Sequence, residues 1–245
     1  MTIIIIVSVS VLVLIAIAIA TYFIFIRHKV KIIGNGFTIN TIDSGMSTIT
    51  PNKFIVHPKV NNGFTLHFGL QIDNFYLNHL RWKHVFHKGT YKTDIYDYRY
   101  WYNIESELPK QALGVWLHPD KPAMRIAIST LKKYNYQHSD YPTPEELRTR
   151  LRKNEHKEII EICDIEDIEP NTLNYYTIVV EGHSISVYKN AKLIKTSNLV
   201  GEVMLNMGDM YFNYHKTYGG KLKNFTYLPK SLNPSKVAEL YNYFF

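Results

Sequence analysis

The side chains best suited to chemistry are five carboxylates that fall close together in the sequence: Glu161, Asp164, Glu166, Asp167 and Glu169. Two carboxylates about 5–5.5 Å apart on one face of a strand can hydrolyse a glycosidic bond with retention of configuration. Side chains alternate between the two faces of a strand, so Glu161 and Asp164 are expected on opposite faces. Pro170 ends the run and places residues 166–169 in the loop before the next strand. The spacing therefore favours a solvated acidic edge over a catalytic pair.

The 11 histidines have poor spacing for a metal site. His84 and His87 are three positions apart in a predicted strand and are expected to point to opposite sides. His28 belongs to the basic stretch that follows an apolar N-terminal segment. A zinc ion needs three or four ligands that converge, so the sequence predicts no zinc site.

A tyrosine-rich stretch, YKTDIYDYRYWY at residues 91–102, is the best candidate for an interaction surface. Aromatic rings stack on sugars, and they serve protein interfaces equally well because they supply large, rigid contact area. Both uses stay open, and we favour the protein–protein use. The candidate residues are Tyr91, Tyr96, Tyr98, Tyr100, Trp101 and Tyr102.

Charge and cysteine content exclude several classes of protein. The net charge of +7 is scattered along the chain. Because no recognised nucleic-acid module and no single basic face appears, nucleic acid is not an expected partner, whereas mild attraction to anionic lipid is. The only cysteine, Cys163, rules out a disulfide-stapled extracellular domain. It lies in an apolar strand and is expected to be a small buried hydrophobe.

An uncharged stretch, Ile3–Ile26, predicts a transmembrane helix. As a helix it spans roughly 36 Å, against about 30 Å of hydrocarbon. The alternative is a signal peptide cleaved after Ala20, but no basic residues precede the stretch and it is too long for a signal-peptide core. Arg27, Lys29 and Lys31 follow the stretch directly. The positive-inside rule therefore places the following domain on the cytoplasmic side.

These features predict three regions: an anchor with its basic flank at 1–31, a tether at 32–52 and a β-domain at 53–245. The tether is rich in Gly, Ser, Thr and Asn. Alternating apolar residues predict strands in the β-domain, namely 64–72, 82–87, 114–118, 124–128, 176–180, 184–188, 193–195, 210–214 and 222–228. Short surface helices are expected near 143–154, inside an inserted segment, and at Ser235–Tyr243 after an Asn233-Pro234 cap.

The strand sequences together resemble the concanavalin A-like lectin/glucanase superfamily. The similar branch is the laminin-G-like one, in the form found in membrane-anchored proteins of large DNA viruses. The resemblance covers residues 54–241 and rests on these segments: FTLHFGLQI, WKHVFHKG, GVWLHPDKPAMRIAI, YTIVVEGHSISVYKNAKLIKT, Gly208-Asp209 before MYF, GGKLKNFTYL and LNPSKVAELY. Asn190-Ala191 replaces the usual Asn-Gly turn, and residues 134–155 look inserted.

The resemblance implies an all-β fold, an antiparallel two-sheet β-sandwich of the concanavalin A-like jelly-roll type. Some members carry a catalytic Glu-x-Asp-x-x-Glu strand. Asp164, Glu166 and Glu169 match that spacing with the wrong residue types. Other members bind calcium at a rim of the sandwich, for which Asp209 and Asn206 are weak candidates. No other cofactor is expected.

Taken together, these features predict a non-enzymatic, membrane-anchored structural protein of a large DNA virus. The expected role is that of a minor capsid component of the virion. It would link an internal membrane to the capsid through contacts with virion proteins. The alternative is a lectin-like module that binds a glycan, and a glycoside hydrolase is a weaker third hypothesis.

Overall fold

A computed structural model describes residues 13–21, 36–43, 46–58, 63–90, 111–133, 156–214 and 217–244. The strands are β1 (Phe37–Asp43), β2 (Thr48–Thr50), β3 (Phe64–Asn74), β4 (Lys83–Gly89), β5 (Gln111–Leu117), β6 (Met124–Lys133), β7 (His156–Ile165), β8 (Asn174–Glu181), β9 (Ser184–Lys189), β10 (Lys192–Asn198), β11 (Glu202–Val203), β12 (Asp209–Phe212) and β13 (Gly219–Leu228). One 3-10 turn covers Asn52–Phe54, and a C-terminal helix covers Pro234–Phe244.

The described strands form two antiparallel sheets that face each other. One sheet has the order β1-β13-β3-β8-β9-β10. The other has the order β11-β6-β5-β4-β12-β2. Strand β7 also pairs with β6, on the side of β6 away from β5. Apolar side chains of both sheets meet between them, among them Phe68, Phe86 and Phe225. The predicted two-sheet β-sandwich is therefore correct.

The β3 strand shows how the chain completes its core. Phe64, Leu66, Phe68, Leu70 and Ile72 all face the interior, as their alternation predicts. Such alternation is typical of a strand with one face in solvent, yet Thr65, His67 and Gly69 on the opposite face are buried too. The C-terminal helix packs its apolar side beside that face and closes a second, smaller core.

The cap of the C-terminal helix is the predicted one. Asn233 accepts a hydrogen bond at its Oδ1 from the backbone N–H of Lys236 at 3.0 Å, and Pro234 is the first helical residue. Val237 and Leu240 are fully buried. Cys163 is also buried, as expected.

The segment at 32–52 differs from the predicted irregular tether. Phe37–Asp43 pairs with β13, and Thr48–Thr50 pairs with β12. Both strands lie at sheet edges, where a partner strand distant in sequence supplies the backbone hydrogen bonds. Polar residues are tolerated there because one side of an edge strand faces solvent. The sandwich therefore begins near Gly36.

Within the described ranges, no helix is long and apolar enough to cross a membrane. Residues 13–21 are helical. The rest of the predicted span Ile3–Ile26, and its flank Arg27, Lys29 and Lys31, lie outside the described residues.

The sandwich has two ends, and its first strand, β1, starts at one of them. We call the end at Phe37, Phe64 and Asp209 the N-terminal rim, because β1 starts there. The opposite end, at Asn74, Lys83 and Gly219, is the distal rim.

Candidate functional site

The predicted calcium ligands Asn206 and Asp209 lie on the N-terminal rim, beside the buried side chain of Lys88. The Lys88 ammonium donates hydrogen bonds to the backbone carbonyls of Asn206 and Gly208, the latter at 3.0 Å, and to Asn52 Oδ1 at 3.3 Å. Asp209 Oδ1 accepts a hydrogen bond from the backbone N–H of Asn52 at 2.8 Å. Both candidate ligands therefore have hydrogen-bond partners within the protein, Asn206 through its carbonyl to Lys88 and Asp209 through its carboxylate to the backbone of Asn52.

Burial makes this ammonium unusual. Lys88 is only 3% exposed, and desolvation lowers its pKa to about 8, although the nearby Asp209 carboxylate acts in the opposite direction. In the described part of the chain, no group of three or more His, Cys, Asp or Glu side chains converges to hold a metal ion. Lys88 places a buried ammonium at this rim.

The Lys88 contacts bring two chain segments of the rim together. One segment follows Asn52 and carries the exposed Phe54. The other contains Asn206–Gly208 and carries the exposed Met207. Gly208 is needed because a Cβ atom there would lie 1.9 Å from the Gly89 carbonyl oxygen. We call this arrangement the Lys88 clamp.

The prediction that His84 and His87 point to opposite sides of their strand is wrong. The β4–β5 register shifts between His84 and Phe86, which is a β-bulge. The extra residue turns both imidazoles to the same outer face, where His84 Nε2 and His87 Nδ1 are 2.8 Å apart. The prediction assumed a regular strand, and a bulge has no clear local signal.

The hydrogen bonds around this pair fix its tautomers. His84 Nδ1 accepts a hydrogen bond from the backbone N–H of Tyr214 at 2.9 Å, so its Nε2 carries the proton and donates to His87 Nδ1. His87 Nε2 then donates to the Thr90 carbonyl at 3.2 Å. Burial lowers the pKa of His87 to about 4. The pair is a neutral, fully bonded network that braces β4.

The acidic run separates as strand parity predicts. Glu161 lies opposite Ile128 and Asp164 lies opposite Arg125, so the two carboxylates are on different faces of β7. Asp164 accepts two hydrogen bonds from the Arg125 guanidinium, both at 2.7 Å. Glu161 accepts hydrogen bonds from Thr130 Oγ1 and from the backbone N–H groups of Val200 and Gly201.

The remaining acidic residues lie in the loop after β7, as predicted. Glu166 pairs with Lys121 at 2.8 Å, and Glu169 pairs with Lys189 at 3.1 Å. These ion pairs lower the pKa of both carboxyls. Each of these glutamates therefore has a lysine as its ion-pair partner.

A loop on the distal rim was missed in the sequence. Between β3 and β4, Tyr76, Leu77 and Leu80 are exposed by 74%, 42% and 54%. Two consecutive backbone turns shape the loop, closed by the N–H groups of His79 and Arg81. Asn78 Nδ2 fastens it to the Thr217 carbonyl at 2.9 Å. The segment FYLNHLRW has no period of two, and that apolar run between two strands was the available signal.

The backbone of this loop is held in an unfavourable conformation. Leu80 has a φ of +67°, in the left-handed region that bulky residues rarely adopt. Such strain persists only where the surrounding structure fixes it, and it collects at binding sites. We call residues 75–82 the distal loop.

The predicted tyrosine-rich surface lies outside the described residues. This applies to Tyr91, Tyr96, Tyr98, Tyr100, Trp101 and Tyr102, and to the inserted segment at 134–155. Its role therefore remains a prediction from sequence.

Comparison with known proteins identifies the fold class. No protein-family model and no curated protein sequence matches the chain. Among solved structures, the chain is similar to the botulinum neurotoxin serotype D binding domain, at 12% identity and a TM-score of 0.50, over 84% of this chain and 42% of that one. It is also similar to a mutant of HCR/D, at 11% identity and a TM-score of 0.50, over 85% of this chain and 42% of that one.

These similarities concern the fold. The chain spans less than half the length of those structures, at identities far below those that carry function. The chain therefore shares the β-sandwich fold of these structures. Function has to be argued from its own residues.

Proposed function

We propose that this chain is a non-catalytic recognition module, held at a membrane by its N-terminal segment and binding a partner protein through its distal loop. The observation that carries the proposal is the exposure of Tyr76, Leu77 and Leu80 on one strained, fastened loop. Large apolar side chains clustered at a fixed place on a surface are typical of protein interfaces.

The position of the loop supports a bridging role. The described chain enters the sandwich at the N-terminal rim, and the distal loop is at the other end of β3. The 11 residues of β3 extend over roughly 36 Å at about 3.3 Å per residue. A module attached to a membrane through its N-terminal segment thus presents the distal loop away from that membrane.

The environment of the polar groups supports a non-enzymatic role. Asp164 and Glu161 are engaged in ion-pair and backbone hydrogen bonds, and the imidazoles of His84 and His87 are bonded to each other. Each of these groups already has a structural task. We propose that the module serves recognition and not turnover.

The specific setting follows from the sequence resemblance to membrane-anchored proteins of large DNA viruses. In that setting the domain lies on the cytoplasmic side of an internal virion membrane, and the partner is a capsid protein. The basic residues Arg27, Lys29 and Lys31 support this orientation. Absence of the chain from purified particles would remove this setting, and its release by carbonate extraction would remove the membrane attachment.

Photo-crosslinking tests the docking site directly. A crosslinking amino acid at Leu80 of the full chain, in assembled particles, should join the chain to a capsid protein. The matched control is Leu193, a leucine of similar exposure (51%) on the edge strand β10. Crosslinks from both positions to the same protein, or from neither, would contradict docking through the distal loop.

Glycan binding is the second candidate. Tyr76 is highly exposed, its ring centroid lies 6.1 Å from that of His79, and its backbone N–H donates a hydrogen bond to Asn74 Oδ1 at 2.8 Å. An exposed aromatic ring next to a polar side chain suits a sugar, and one similar structure is itself a binding domain. In a glycan-binding assay Tyr76→Ala should abolish binding and Leu80→Ser should preserve it, whereas protein docking should lose affinity with both.

A further inference from the structure

We infer that the N-terminal rim rests on the bilayer through Phe54, Val56 and Met207, with Lys53 contacting anionic headgroups. The inference rests on the proposed membrane attachment and adds to it a second, peripheral contact made by the folded domain. Its occupant is a lipid surface.

The apolar side chains of this rim are unusually exposed. Phe54 and Met207 are each 64% exposed and Val56 is 46% exposed, whereas Ile55 between Phe54 and Val56 is buried in the main core. Burial of Ile55 fixes the backbone of this segment, and the side chains of Phe54 and Val56 on either side of it point to solvent. Large apolar side chains exposed together in this way are typical of a surface that contacts a membrane or another protein.

The Lys88 clamp holds these side chains in one place. It joins Asn52, two positions before Phe54, to the carbonyls on either side of Met207. Asp209 adds a direct bond to the backbone of Asn52. Two segments that are remote in sequence, each carrying exposed apolar side chains, are therefore held together at this rim.

The charges around the surface fit an anionic membrane. The Lys53 ammonium lies over the Phe54 ring, 5.0 Å from its centroid, in a cation–π arrangement that keeps a positive charge beside the apolar side chains. Lys230 is exposed at the same end, next to β3, where Thr65 Oγ1 donates to its carbonyl. Glu181 on this rim accepts a hydrogen bond from Ser231. The whole chain carries a net charge of +7.

The length of the intervening chain limits the distance to the membrane. From the end of the predicted span at Ile26 to Gly36, where the described sandwich begins, lie residues 27–35. Fully extended, a segment of that length reaches at most about 32 Å. The N-terminal rim is therefore the part of the sandwich nearest the bilayer, and the distal loop faces away.

Depth-dependent fluorescence quenching tests the inference in the full chain. With Cys163 replaced by Ala, an environment-sensitive dye is attached at Phe54→Cys, Met207→Cys or Leu80→Cys, and the protein is reconstituted into phosphatidylcholine vesicles that contain phosphatidylserine. Dyes at 54 and 207 should shift to shorter wavelength and be quenched by spin-labelled lipid. The dye at the matched exposed position 80 should show neither effect. In the Lys53→Glu background, quenching at position 54 should decrease.

The possible contrary results are distinguishable. If the chain floats with the vesicles but all three dyes report water, the rim does not touch lipid and the inference is wrong, while the membrane attachment stands. A wavelength shift at 54 and 207 without quenching by lipid means that a protein surface, such as a second copy of the chain, covers the rim, which also overturns the inference. If the chain does not float, the proposed attachment itself fails.

Discussion

The buried ammonium of Lys88 donates a hydrogen bond to the Gly208 carbonyl at 3.0 Å, across 120 positions of sequence. The contact joins the end of β4 to the segment before β12, and the same ammonium reaches the carbonyl of Asn206. A lysine ammonium thus lies beside Asn206 and Asp209, the two residues that the sequence suggested as weak calcium ligands.

Replacement of Lys88 by methionine should destabilise the fold. The apolar side chain preserves the length of the stem but leaves the carbonyls of Asn206 and Gly208 without their donor. An unsatisfied buried acceptor costs about 1–3 kcal/mol, so we expect a loss of about 2–3 kcal/mol in the free energy of unfolding. Urea denaturation measures the change. The control is Lys53→Met on the same rim, where Lys53 is exposed and the unfolding midpoint should not move.

The stability of the domain should rise as the solution becomes mildly alkaline. Burial lowers the pKa of both Lys83 and Lys88 from 10.5 to about 8. Between these values the unfolded chain binds more protons than the folded chain, so the free energy of unfolding increases with pH. Buried Tyr176, Tyr218 and Tyr227 have raised pKa values and reverse the trend above about pH 10.

Urea unfolding at a series of pH values between about 8 and 9.5 tests this expectation. The slope should vanish when both Lys83 and Lys88 are replaced by methionine. A wild-type stability that is constant or falls over this interval would show that the two ammonium groups are not buried as described.

The turn between β9 and β10 should become more stable when Ala191 is replaced by glycine. Asn190 and Ala191 have φ values of +49° and +64°, the pattern of a type I′ turn. Only glycine adopts the second of these without steric cost, so Ala191→Gly should stabilise the fold by about 1 kcal/mol. The reverse change, Gly182→Ala in the β8–β9 turn, should destabilise the fold, because Gly182 has a φ of +55°, which alanine adopts only with strain. An added Cβ atom at this position would have no neighbour within 4 Å, so it would not clash.

Thermal denaturation of both variants checks the pair of predictions. Because nothing surrounds position 182, any change there reports the backbone alone. A melting temperature that shifts in the same direction for both variants would contradict the assigned turn geometry.

Local sequence patterns correctly predicted several of the strands. The alternation in β3 and the meander from β8 to β10 were visible because side-chain direction has a period of two. The edge strand β1 was missed because its partner, β13, lies some 180 positions later and its own residues are mostly polar.

The sites were harder to predict than the fold. The bulge at His84 reverses the face expected for one imidazole, and nothing in WKHVFH indicates an extra residue. The Lys88 clamp depends on carbonyls whose positions only the tertiary structure sets. In contrast, strand parity separated Glu161 from Asp164 correctly, since β7 is regular along its whole pairing with β6.

Substitutions in the acidic run at residues 161–169 distinguish a structural role of its carboxylates from a catalytic one. Glu161 accepts three hydrogen bonds, two of them from the backbone N–H groups of Val200 and Gly201, so Glu161→Ala should lower the free energy of unfolding by about 2 kcal/mol. Glu166 is exposed and pairs with the exposed Lys121, so Glu166→Ala should leave the unfolding midpoint unchanged. A catalytic carboxylate would behave differently, because its removal would abolish turnover of a β-glucan without loss of stability. We expect no turnover in the wild type, and turnover that Glu166→Gln eliminates would restore the glycosidase hypothesis.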